Sequence, residues 1–229
     1  MDLYSLLIEN REIIKIFYGL LIGLICLIIV LKVDKLFRLS LHQGIRYLRN
    51  AFFFYGVAFI IRYIFGALIF YEYIDGKYLS VITIIFKYFL IMAGFFLLYS
   101  LLWKKLESSK NDDYSSLFNL KIIIFYIMAL VIVFLDYVWQ THYFIFISQV
   151  ILFTIASGIS YLNYARGKSE HKFLKFYFAA MILALAAWIF NALSALLDWN
   201  RYFLINSYLL NIIIFLLFLY GVVNATRLK

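Results

Sequence analysis

The segment NAFFFYGVAFIIRYIFGALIF, residues 50 to 70, carries a single ionisable side chain, Arg62, in an otherwise uncharged run. As a helix it would be roughly 30 Å long, the thickness of a bilayer's hydrocarbon core. It has no polar face, so it is expected to lie in lipid or in the interior of a bundle. The rest of the chain points to lipid. Of 229 residues 66% are hydrophobic, and the mean hydropathy of +0.96 exceeds what a water-soluble core of this size would bury.

Apolar runs bounded by charge predict seven spans, at about 13 to 32, 50 to 70, 79 to 103, 120 to 140, 143 to 166, 172 to 197 and 203 to 226. The expected fold is an all-α integral membrane protein, residues 1 to 229 forming one bundle of seven transmembrane helices. The weakest boundary is VWQTHYF, where only Gln140, Thr141 and His142 interrupt the hydrophobicity. A turn is expected there, because one long helix would leave the chain no way to cross back.

Lys and Arg counts set the expected orientation. The 1–2, 3–4 and 5–6 connections and the C-terminus hold five, four, four and two of the 21 basic residues, whereas the opposite side holds Arg11, Lys15, Lys77 and Arg201. Arg62 and Lys87 lie within spans. By the positive-inside rule the N-terminus is outside and the C-terminus cytoplasmic, in a multi-pass protein of the cell membrane. MDLYSLLIENRE precedes the first span with acids rather than a basic region, so that span is expected to remain as an anchor.

Within the 1–2 connection Lys35, Arg38, His42, Arg46 and Arg49 are spaced to share one helical face, with Leu36, Leu41, Ile45 and Leu48 leaning the other way. The pattern predicts an interfacial amphipathic segment, the alternative being ordinary positive-inside charge at a helix hinge near Gly44. Lys35, Arg38, Arg46 and Arg49 would contact anionic lipid headgroups at the cytoplasmic face or an acidic partner, or serve only as topological charge. The stretch KKLESSKNDDYSS, 104 to 116, reads as a cytoplasmic loop. Cys26, the single cysteine, lies in an apolar run and cannot form a disulfide within the chain.

An offset of 125 residues aligns Tyr18 with Tyr143 and IFGAL (64 to 68) with IFNAL (189 to 193), and superposes spans 1 to 3 on spans 5 to 7. Two parallel three-helix units, about 13 to 103 and 143 to 226, would then be joined by the span at 120 to 140. In this frame the chain resembles parallel-repeat transporters of the SWEET type. The seven-helix arrangement with its N-terminus outside also resembles rhodopsins and G-protein-coupled receptors, in architecture alone. The last span, FLINSYLLNIIIFLLFLYGVVNA, lacks the lysine that a retinal Schiff base needs, and span 3 ends LLYSLLWKK in place of the acidic-Arg-Tyr motif. With no proline in the chain, the proline-bearing motif of receptor span 7 and the PQ dipeptide of PQ-loop transporters are both missing, and the spans are expected to be nearly continuous.

Chemistry-bearing motifs are few. His42, His142 and His171 fall on different sides of the membrane, so no shared metal site is expected, and neither a glycine-rich phosphate loop nor a serine elbow occurs. No catalytic residue and no cofactor is implied, and an enzyme is not expected. The positive charge follows topology, which disfavours nucleic acid as a partner.

Polar groups within the spans carry the functional expectation. Arg62 and Lys87 lie roughly 12 Å below the external ends of their spans, with Gln149, Asn191 and Asn211 at about 9 to 12 Å. These five are the candidate ligand-binding residues. Asp136 and Asp198, above that layer, are the carboxylates placed to neutralise the cations. Ala58 and Gly66, at i−4 and i+4 from Arg62, would leave space on its face.

Two accounts stay open. Arg62 is locked to Asp136 or Asp198 while Lys87 snorkels outward, or both cations line a pocket for an anion. The preferred expectation is a receptor-like or sensor-like protein binding a small anionic ligand. A small-solute transporter of duplicated units is the rival. A third reading is a scaffold or assembly subunit that binds another membrane protein.

Overall fold

The computed structural model describes residues 11–71, 73, 75–106, 120–140, 143–166, 172–197 and 202–227. Seven α-helices account for nearly all of them: α1 Arg11–Ser40, α2 Gln43–Phe70, α3 Leu79–Leu106, α4 Leu120–Val138, α5 Tyr143–Arg166, α6 Lys172–Leu196 and α7 Tyr202–Arg227. A 3₁₀ turn, Gly76–Tyr78, leads into α3, and the described residues contain no strand. Six helices are long and apolar enough to cross a membrane, whereas the apolar stretch of α4, Ile122–Val138, is shorter.

Lipid as the surrounding solvent is visible in α1. Ile22, Ile25, Ile29 and Val33 face the core, while Phe17, Leu20, Leu24, Leu27 and Leu31 on the opposite side are at least half exposed. A helix in water would put charge on that outer face. The protein is membrane-embedded on these grounds.

The turn expected between the fourth and fifth spans is present. Helix α4 stops at Val138, the Gln140 N–H donates to the Tyr137 carbonyl at 3.3 Å, and Gln140 enters the left-handed region at φ 48°. The amphipathic segment after the first span is not a separate interfacial element. Helix α1 continues to Ser40 because residues 33 to 40 contain no helix breaker, and Arg38 Nε donates to Asp34 at 2.9 Å one turn away. The helix hinge expected near Gly44 falls at Leu41–His42, with Leu41 at φ 51°. Asp34 also accepts from Arg49 across the turn, so Arg38 and Arg49 close this end of the helix pair. Gly44 serves close packing, since a Cβ there would lie 2.6 Å from Trp103 Nε1 and 2.9 Å from the Ser100 carbonyl.

Gly19 and Gly23, a GxxxG pair in the first span, lie in the α1–α2 seam. Added Cβ atoms would fall 2.4 Å from Tyr63 Cβ at Gly19 and 2.9 Å from Ile60 Cγ1 at Gly23, with Gly56 against Cys26 one step further. Helices α1, α2, α3, α5, α6 and α7 pack in that order into a closed ring, α7 returning to α1. Helix α4 sits outside the ring, on α3 and α5.

Candidate functional site

The ring surrounds a partly open cavity of about 300 Å³ lined by all six of its helices and not by α4. Its polar groups gather toward the end where α2 finishes and α3 begins: Arg62, Tyr63, Thr83, Lys87, Asn191, Tyr208 and Asn211. Deeper in, Phe52, Leu97, Phe153, Ala184, Phe215 and Phe218 form the wall, with Tyr55 among them. The small-residue stripe of α6 turns inward, Ala180, Ala184 and Ala187 all being buried, and this opens the space that larger side chains would fill.

The two cations have different surroundings. Lys87 Nζ lies 2.5 Å from Asp136 Oδ2, and the two side chains are 15% and 0% exposed. Asp136 is thus an ion-pair partner, brought in by the peripheral helix α4, and Lys87 is held inward rather than snorkelling. Arg62 has no carboxylate within ion-pair distance among the described residues. Its guanidinium donates to Thr83 Oγ1 at 2.6 Å and lies 5.5 Å from the centre of the Phe86 ring. Thr83 in turn donates to the Leu79 carbonyl at 2.8 Å. Its one proton is therefore committed to the backbone, and its oxygen is presented to Arg62 as an acceptor. Asp198, the other expected partner, lies outside the described residues.

Among the described residues the cavity's charges are Arg62 and Lys87 against Asp136, which leaves one positive charge. Asp75, in the connection between α2 and α3, adds none, being paired with Lys77 at 3.0 Å. The Lys77 backbone N–H and then its ammonium hold the Asp75 carboxyl below the usual carboxylate range.

Donors complete the polar end. Ser207 Oγ donates to Asn191 Oδ1 at 2.6 Å, which engages the amide oxygen and leaves its NH₂ as donor. Asn211 and Tyr18 line the same end, as do Tyr63 and Tyr208. The Tyr18 ring stacks on Tyr208 at 4.5 Å and meets Tyr63 edge-on at 5.4 Å.

Of the five residues expected to bind a ligand, Arg62, Lys87, Asn191 and Asn211 line one cavity. Gln149 does not line it. Fully buried, it faces Gly94 of α3, where a Cβ would lie 3.0 Å from its Oε1. The reading of depth missed Tyr18, Tyr63, Thr83, Trp188 and Tyr208, yet helix spacing held a signal for three of them. Thr83 is four residues before Lys87, Tyr208 three before Asn211, and Trp188 three before Asn191.

The 125-residue frame reappears in the lining. Phe59 and Ala184, Arg62 and Ala187, Tyr63 and Trp188, Thr83 and Tyr208, Phe86 and Asn211, and Leu90 and Phe215 are all 125 apart, and all twelve face the cavity. Helices α2 and α3 therefore present the same depths to it as α6 and α7, while the residue types differ.

Comparison with protein-family models, with curated proteins and with solved structures finds no match.

Proposed function

We propose that the protein is a receptor-like or sensor-like protein of the cell membrane that binds a small anion at Arg62. The observation that carries this reading is the guanidinium itself. It lines a partly open cavity beside Lys87, Asn191 and Asn211, and among the described residues its contacts are a neutral hydroxyl and a ring face. A charge in such surroundings is costly unless a counter-charge arrives, and a carboxylate accepts from a guanidinium fork in two parallel bonds. With fifteen of 21 basic residues on the opposite side, the polar end is assigned to the outer half of a bundle with its N-terminus outside, α4 completing seven crossings. Signals would pass through the basic connections to a separate partner.

Thermal unfolding in detergent of the wild type and Arg62→Leu, each with and without a panel of monoanions, tests this. An anion at 100 times its Kd stabilises by about 2.7 kcal/mol, a rise of roughly 5 to 11 °C for a chain of this size. The rise is expected in the wild type and not in Arg62→Leu. No stabilisation by any anion would refute the reading.

A transporter built from two three-helix units is the second reading, supported by the lining positions that coincide at an offset of 125. Against it stand helices that run unbroken past the cavity and a cation and an amide that each lack a polar counterpart in the other unit: Arg62 falls on Ala187 and Asn211 on Phe86. Flux of a labelled anion into proteoliposomes would favour this reading.

A further inference from the structure

The cavity is polar at one end only. From Arg62 to Phe52 along α2, and from Tyr208 to Phe218 along α7, it extends roughly 15 Å. Every charged group and amide sits in the first part, and the remainder is aromatic or aliphatic with the Tyr55 hydroxyl as the exception. A compact hydrophilic anion would satisfy Arg62 and leave that wall unmatched. The deep part is aromatic in character, Phe52 meeting Phe218 at 5.1 Å and Phe215 at 6.1 Å, with Tyr55 on Phe215 at 5.5 Å. Its occupant has to be apolar, since water needs several polar partners to be held there.

Volume and charge narrow the ligand. With a length of roughly 15 Å and a volume of about 300 Å³, the cavity suits one chain of medium length. That is the size of octanoate and far less than a diacyl lipid. The single net positive charge counted among the described residues matches a monoanion. Resting on the reading of Arg62 as an anion site, we infer that the ligand is a single-chain anionic amphiphile, a medium-chain carboxylate. Its head meets Arg62 and the Asn191 amide, and its chain runs between Phe52, Phe215 and Phe218.

Equilibrium binding of acetate, butyrate, octanoate and palmitate to the full chain in zwitterionic lipid nanodiscs tests the inference, with octanol and octylammonium as controls. Each methylene up to octanoate should tighten binding about fourfold, so that octanoate exceeds butyrate by on the order of a hundredfold. Palmitate should gain nothing more, and both controls should bind weakly. Leu97→Phe, which fills the deep end, should weaken octanoate by about tenfold or more and leave butyrate nearly unchanged. Phe153→Trp makes the same test from α5 if Leu97→Phe does not fold. Acetate binding as tightly as octanoate through Arg62 would overturn the amphiphile and leave the anion site standing. Failure of every anion would overturn both. Displacement of octanoate by phosphatidylglycerol in the nanodisc would assign the site to a lipid headgroup and overturn the free carboxylate.

Discussion

Removing the Asp136 carboxylate should be among the most damaging single changes in the bundle. Its side chain is 0% exposed, and Lys87 Nζ stands 2.5 Å away at 15% exposure. Asp136→Leu leaves the ammonium in a nearly closed space without that counter-charge, and breaking a buried pair in this way costs about 3 to 5 kcal/mol. For a chain of this size that is a fall in Tm of roughly 6 to 20 °C. The loss should appear first at α4, which among the described residues packs mainly on α3 and α5. Replacing both charges, in Lys87→Met/Asp136→Leu, removes the unmatched charge together with the pair and should recover most of the loss. A double-mutant cycle by reversible unfolding in mixed detergent measures the coupling. If the two single losses simply add in the double variant, the residues are not coupled and the charge arithmetic of the cavity is wrong.

Other expectations follow from the same geometry. Gly19→Ala would place its Cβ 2.4 Å from the base of the Tyr63 side chain. It should cost about 1 to 3 kcal/mol in unfolding experiments. Gly66→Ala meets nothing within 4 Å and should stabilise by up to about 1 kcal/mol through helix propensity. Thr83→Val removes the acceptor that orients Arg62 and should weaken anion affinity by about fivefold, the worth of one ordinary hydrogen bond, as measured by equilibrium binding. Asp34→Asn, at 26% exposure beside Arg49, should cost no more than about 1 kcal/mol. It should also speed amide exchange around residues 38 to 46.

Much of the fold was legible because lipid imposes a simple rule: each crossing needs a long apolar helix bounded by charge. Residues 50 to 70 obey it, and α2 ends at Phe70. Where the chain leaves the apolar runs the rule weakens. Helix α1 outlasts its run to Ser40 through the Asp34–Arg38 pair, so a basic face that reads as an interfacial element is the end of one helix and the start of the next. Depth along each span brought Arg62, Lys87, Asn191 and Asn211 together, because antiparallel helices of similar length share a depth scale. Rotation about each helix axis is not a depth property. For that reason Gln149 fell on the Gly94 contact, and Asp136 paired with Lys87 rather than Arg62. The aromatic neighbours were lost among 20 tyrosines and 25 phenylalanines, a background in which no single ring stands out.

The positive charge of Arg62, unmatched by a carboxylate among the described residues, can be tested most directly by measuring what meets it. Solid-state NMR on the arginine-¹⁵N-labelled protein in nanodiscs, with [1-¹³C]octanoate or [1-¹³C]acetate, reads the dipolar coupling between carboxylate carbon and guanidinium nitrogen. Oxygens within about 2.9 Å of the guanidinium nitrogens are predicted, giving a strong coupling that disappears in Arg62→Leu. Bound carboxylate with no coupling to arginine, or a coupling that survives in Arg62→Leu, would contradict the assignment.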